Sequence, residues 1–271
     1  MKKVVFTCIV GGYDNVVEPK YVTEDFDYIC FTDSNDAKSN VWKMVPLPSG
    51  IEHLSNAKKQ RYVKILAHKV LSSYDLSIYV DGNVLIQGDL NEFLKEKCNK
   101  EDSYMFVPTH PSRNCIYDEA REVIRIKKDS GEIVNKQINR YKSEGFPSKF
   151  GLTQNNIIIR YHNDHDCIKL METWFNEVEK ESHRDQLSLF YSIWKLKDVK
   201  IYQLDKNTCI IAMQKYTLFH DFARKVRKTL RISDKITYKN MKVDIYIQLK
   251  LPFIKCQNCH IRPQIWMALV I

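Results

Sequence analysis

The stretch that decides the fold is SIYVDGNVLIQGDL, residues 77–90. An apolar strand runs into the turn Asp81-Gly82-Asn83, and a second apolar run closes on Gly-Asp-Leu. A strand that delivers an aspartate to its carboxyl end in an α/β sheet sets that carboxylate in the crevice where such sheets bind ligands. Asp81 and Asn83 put two oxygen ligands on one side of the turn. The pattern suits a hard divalent cation that also holds a diphosphate. Asp-Gly-Asn is equally a good plain turn, so the surroundings must carry the reading.

On either side of this stretch the chain alternates. Residues 3–10 (KVVFTCIV) and 27–32 (DYICFT) read as buried strands followed by turn chemistry. Residues 55–72 have helical periodicity, with Tyr62, Ile65, Leu66 and Val70 inward and Lys58, Lys59, Arg61 and Lys64 on the other faces. After strand 76–80 come a short helix capped by Asp89 and a strand at 103–108. A charged helical region, 116–144, breaks at Asp129-Ser130-Gly131. Residues 150–161 are a loop feeding the strand NNIIIR. Helix 164–180 carries Cys167, Met171, Trp174 and Val178 as a core stripe, and a helix near 184–195 and a strand near 199–203 follow. Such alternation predicts a largely parallel α/β sheet with flanking helices.

Composition narrows the class. The 271 residues are 44% hydrophobic and 11% aromatic, ample for a packed core. No run of about 18 uncharged apolar residues occurs, and the N-terminal MKKVVFTCIVGGYD reads as the first strand rather than a leader. Six of the eight cysteines (Cys8, Cys30, Cys98, Cys115, Cys167, Cys209) sit in apolar runs as small core residues. The expectation is a reducing, cytoplasmic setting. Charge divides the chain. Residues 214–271 hold 12 Lys and Arg against 3 Asp, whereas residues 1–213 balance 30 basic with 30 acidic groups. The expected organisation is a neutral domain, 1–213, and a basic extension, 214–271.

The segments VVFTCIVGGYDNVVEPK (4–20), DFDYICFTDS (25–34), RYVKILAHKVL (61–71), HPSRNCIYDEA (110–120) and RDQLSLFYSIWKL (184–196) occur in this order with the Asp81 motif. Over roughly residues 3–205 the chain resembles a family long filed as a domain of unknown function and described as GT-A-type glycosyltransferases. The resemblance implies a GT-A-like nucleotide-diphospho-sugar transferase fold and a metal-assisted transfer from a nucleoside-diphosphate sugar, with UDP-sugars favoured, to a glycan or lipid-linked acceptor. Asp81 and Asn83 would then hold Mn²⁺ or Mg²⁺ on the diphosphate, although Asn83 stands where the family's pattern has a second aspartate. His220 is a candidate third ligand.

Other residues gain roles on the same basis. Thr7, Gly11, Gly12 and Tyr13 follow or end strand 1 and are expected at the nucleotide, the glycines by close backbone approach and Tyr13 by stacking. Asp33 is expected to face ribose or base. Arg61, Lys64 and His68 share a helical face suited to a diphosphate, and Asn155 lies where an amide would hold sugar hydroxyls. Asp185 and Gln186 resemble the acidic pair beneath the sugar, with Asp185 orienting acceptor hydroxyls or acting as general base. Arg113 is expected on the acceptor side. Each also has a plainer reading as a cap, a turn or a solvated face.

Leu218, Phe219, Phe222, Val226 and Leu230 form one stripe of a helix whose remainder carries Arg224, Lys225, Arg227, Lys228 and Arg231. Such a helix suits docking on an anionic membrane at its inner face; the stripe can equally pack on the neutral domain. Cys256, Cys259 and His260 make half a zinc site at most. Nucleic acid is not an expected partner, because the main domain has no excess charge to follow a phosphate backbone.

Overall fold

The computed structural model describes residues 1–98, 103–199 and 201–205, and the backbone of 213–215. The elements run β1 (Lys3–Ile9), β2 (Phe26–Thr32), β3 (Lys43–Pro46), α1 (Asn56–Ile65), α2 (Ala67–Val70), β4 (Leu76–Val80), β5 (Val84–Ile86), α3 (Leu90–Lys97), β6 (Met105–Pro108), α4 (Ile116–Arg125), α5 (Gly131–Ser143), β7 (Ile157–Arg160), α6 (His165–Lys180), a 3₁₀ turn (Asp185–Leu187), α7 (Leu189–Leu196), β8 (Tyr202–Leu204) and β9 (Met213–Lys215). Seven strands form one sheet in the order β3-β2-β1-β4-β7-β6-β8, and β5 pairs separately with β9. Only β7 runs against its neighbours, antiparallel to both β4 and β6. The expectation of a mixed α/β fold on a mostly parallel sheet is borne out.

Both faces of the sheet are covered, as continuous apolar strands require. Along β1, Val4, Phe6 and Cys8 enter one core with residues of α1, α6 and α7. Val5 and Ile9 enter a second core with Trp42, β5 and α3. The α6 stripe is fully buried at Cys167, Met171, Trp174 and Val178. Asp164 starts α6 by accepting from the Asp166 and Cys167 amides at 2.9 and 3.0 Å, a cap worth about 1 kcal/mol. Asp89 does the same for α3. Five of the core cysteines, Cys8, Cys30, Cys98, Cys115 and Cys167, are free and buried; Cys209 lies outside the described residues.

The single helix expected over 55–72 is two. It breaks at Leu66, whose φ and ψ are −91° and 48°. The cause is Arg160 at the end of β7, which is wholly buried. Its guanidinium donates to the Lys64 carbonyl and, at 3.1 Å, to the Ile65 carbonyl. Those carbonyls would otherwise accept from the next helical turn. A cation at a helix carboxyl end is favourably placed against the helix dipole, so the break is held by charge as well as by hydrogen bonds.

The strand order reverses direction between β1 and β4: successive strands build outward from β1 through β2 and β3, and β4 begins the other half. A crevice at that switch point, beyond the carboxyl ends of the strands, is where open α/β sheets bind ligands. Gly11-Gly12 and Asp81 flank it. Asp33 follows β2, and the segment entering the antiparallel β7 lies at the same edge, with the Asp81 backbone N–H donating to the Asn156 carbonyl at 2.8 Å.

Candidate active site

The first wall is the turn after β1. Gly11 and Gly12 have φ of +67° and +62°, a conformation costly for residues with a Cβ. At Gly11 a Cβ would also lie 2.3 Å from the Asn56 amide nitrogen, so α1 abuts the turn. The Gly11 N–H donates to both Asp33 carboxylate oxygens, at 2.9 and 3.0 Å. Asp33 thus fastens the turn. Thr7 is enclosed within β1 at 1% exposure, because the strand continues two residues past it. Tyr13, 73% exposed, stands on the rim.

The centre is a charged network that the expected residues only partly describe. The Lys64 ammonium, expected on an outer helix face, is 2% exposed. It sits 2.8 Å from an Asp185 oxygen and 3.5 Å from Asp81 Oδ1, and 4.9 Å from the centre of the Tyr79 ring. Arg61 Nε lies 3.4 Å from Asp185 Oδ1 and donates to the His183 carbonyl at 3.2 Å. Tyr79 donates its hydroxyl to Asp81 Oδ1 at 2.8 Å and accepts from the Gln60 amide. Two carboxylates and two cations are thereby joined across β4, α1 and the 3₁₀ turn. Burial, then the Asp81 charge, pushes the Tyr79 phenol well above its ordinary pKa, so it remains a donor.

Asp185 is held from three sides. Its backbone carbonyl accepts from Trp174 Nε1 at 2.8 Å, and the neighbouring Gln186 amide donates to the Thr153 carbonyl at 3.1 Å. Thr153 donates to the Asn155 side-chain oxygen at 2.6 Å, holding Asn155 buried with φ of +58°. Burial alone would raise the Asp185 pKa; Arg61 and Lys64 outweigh it and hold the carboxyl well below the usual carboxylate range. A general base works best with a pKa near the operating pH. In this arrangement Asp185 is an anion paired with two cations, Arg61 and Lys64.

Two expected residues have their contacts apart from this network. His68, turned off the Arg61–Lys64 face by the break at Leu66, contacts Glu172 of α6 at 3.0 Å, and burial lowers its pKa. Arg113 latches its own loop: its Nε donates to Glu119 at 2.7 Å, its backbone N–H to His110 Nδ1 at 3.0 Å. His220, like the residues of the expected tail helix and Cys256, Cys259 and His260, lies outside the described residues. Conversely, Tyr79 and Gln60 were not expected. Tyr79 was legible, since residues two apart on a strand share a face and Asp81 follows at that spacing.

The donor set at Asp81 is sparse. Among the described residues no three His, Cys, Asp or Glu side chains converge as metal ligands, and Asp81 Oδ1 is engaged by Tyr79 and Lys64. One carboxylate with an amide oxygen two residues on fits a cation such as Mg²⁺, which keeps several waters and shares its shell with substrate phosphates. It does not fit an all-protein cage.

Comparison with known proteins adds the chain's relationships. The family model of the TOD1/MUCI70 glycosyltransferase-like domain matches residues 1–227. The chain is 22% identical over 214 residues to "Probable hexosyltransferase MUCI70" of Arabidopsis thaliana, an alignment covering 68% of this chain and 36% of that protein; the chain thus spans about a third of its relative's length. Among solved structures it is similar to the glycosyltransferase GlyE of Streptococcus pneumoniae TIGR4, at 11% identity and a TM-score of 0.43 over 86% of this chain and 51% of that one. The apo form of mouse xyloside xylosyltransferase 1 has 7% identity and a TM-score of 0.41, over 74% and 83% of the two chains.

Proposed function

This chain belongs to the TOD1/MUCI70 glycosyltransferase-like family, and we propose that it transfers a sugar from a nucleoside-diphosphate sugar, a UDP-sugar in the first place, to a glycan or lipid-linked glycan. The observation that carries the reading is the Lys64 ammonium held between Asp81 and Asp185 at the switch point of the sheet. Departure of a nucleoside diphosphate develops negative charge on the phosphate oxygens, and preorganised cations lower its cost most in a water-poor site. Lys64 and Arg61 are such cations. They are pointed by Asp185 rather than left to solvent, so little reorganisation is needed when the diphosphate leaves.

Asp81 and Asn83 would hold Mn²⁺ or Mg²⁺; when bound, that ion neutralises the diphosphate and acts as Lewis acid for the leaving group. Tyr79, donating to Oδ1, would keep the Asp81 carboxylate in place for it. The Gly11–Gly12 turn lets the donor approach the backbone, and Tyr13 on the rim offers a face to the base. Asn155, Gln186 and Arg113 remain candidates for the sugar and acceptor side. In the same reading residues 214–271 are a basic extension that docks the domain on an anionic membrane at its cytoplasmic face.

The test is a donor screen. Full-length protein incubated with UDP-sugars and Mn²⁺ is expected to release UDP slowly by hydrolysis and faster with a glycan acceptor, and EDTA should stop both. Release of pyrophosphate instead would assign the site to nucleotidyl transfer, and no nucleotide release from any donor would overturn the reading.

A further inference from the structure

Residues 182–184, between the end of α6 and the 3₁₀ turn, lack regular structure, yet they present Asp185. What holds them comes from the connection between α4 and α5. The α4 helix ends with Lys127 at φ +54°, the Lys128 N–H bonded to the Val123 carbonyl and the Lys127 N–H to that of Ile124. This is a Schellman arrangement, and it delivers Asp129 to the strap. Asp129 Oδ1 accepts from the Ser130 N–H at 2.7 Å, tying the carboxylate to its own loop. Asp129 Oδ2 accepts from Ser182 Oγ at 2.6 Å and from the His183 N–H at 3.1 Å, and pairs with His183 Nδ1 at 2.9 Å. Ser182 Oγ in turn accepts from the Arg184 N–H at 3.1 Å, and the His183 carbonyl accepts from Arg61 Nε.

We propose that Asp129 is a positioning residue for the active site: its carboxylate clamps the 182–184 strap, and through it sets both Asp185 and the Arg61 guanidinium. One side chain outside the crevice thus reaches a cation for the diphosphate, Arg61, and the carboxylate that orients it, Asp185. A displacement of about 1 Å at such groups is enough to cost about a hundredfold in rate.

The proposal rests on the glycosyltransferase reading, and the test separates the two. In the full chain, Asp129→Ala should lower kcat for donor turnover by about 10- to 100-fold, the range for losing a partner that orients a site ligand, while KM changes by much less. Asp129→Asn should recover part of the loss, because its amide oxygen still accepts from Ser182 and His183. Combining Asp129→Ala with Ser182→Ala should cost no more than Asp129→Ala alone, since both act on one clamp. Hydrogen–deuterium exchange reads the same clamp without turnover: Asp129→Ala should speed exchange across 182–187 and leave α4 and α6 as in the wild type. Wild-type exchange in the strap, or wild-type kcat in an active enzyme, overturns the clamp. Exchange raised throughout α4, α5 and α6 also overturns it, as a folding defect. An unmodified protein that releases no nucleotide overturns the functional reading alone, and the exchange arm still decides the clamp.

Discussion

Lys64→Met is expected to cost about 3 kcal/mol of stability and to lower donor turnover at least about a thousandfold. The lysine is buried, and removing it leaves Asp185, itself 2% exposed, with Arg61 as its remaining close cation at 3.4 Å. An uncompensated buried charge costs several kcal/mol, more than the pair adds when intact; the remaining arginine places the expected loss at the low end. The loss of turnover has a different origin, because methionine offers nothing to the departing diphosphate. Urea unfolding together with nucleotide release from the folded protein separates the effects. The double variant Lys64→Met/Asp185→Leu should regain stability, since a buried pair replaced by apolar residues is often neutral, and should remain inactive. A single variant as stable as the wild type would mean that the ammonium is not held between the carboxylates.

Asp185→Asn is expected to reduce turnover by about a hundredfold or more while UDP binding weakens far less. The amide keeps the shape but loses the charge that orients Lys64 and Arg61. The pH dependence distinguishes an anchor from a base. Arg61 and Lys64, acting against burial, hold the Asp185 carboxyl below its usual range, so its contribution to stability is complete above the unfolded carboxylate pKa of about 3.9. That contribution fades as pH falls below this value toward the folded one. Wild-type protein should therefore lose stability on acidification below about pH 4 more steeply than Asp185→Asn. Its kcat should show no acid limb due to this group between about pH 5 and 8. An acid limb in that range that vanishes in Asp185→Asn would restore the general-base role.

What could be read from the sequence is what local chemistry governs. Apolar runs on both sides of a strand predict a doubly covered sheet, and β1 has that pattern with Val4 and Phe6 on one face and Val5 and Ile9 on the other. The caps at Asp89 and Asp164 and the break near Asp129 depend on neighbours within a few residues. The site was legible where position along a strand decides it, as at Asp81 and Gly11. It was not legible where the partner is remote. The helix breaks at Leu66 because Arg160, 96 residues from Lys64 in the chain, takes the Lys64 and Ile65 carbonyls, and His68 turns to Glu172 as a consequence. Lys64 looked like an outer-face lysine because the carboxylate that buries it arrives from Asp185. Asp129 looked like a turn residue, and its tie to Ser182 spans 53 positions.

In the proposed function, Asp81, Lys64, Arg61 and Asp185 act as one diphosphate-handling unit, with a divalent cation held at Asp81. Calorimetric titration of UDP into full-length wild type and Asp81→Ala, each with Mn²⁺ and with EDTA, tests it most directly. The expected result is UDP binding to the wild type that Mn²⁺ strengthens by about tenfold or more, and weaker binding to Asp81→Ala that Mn²⁺ leaves unchanged. Equal strengthening by Mn²⁺ in both proteins, or no UDP binding to the wild type, would contradict it.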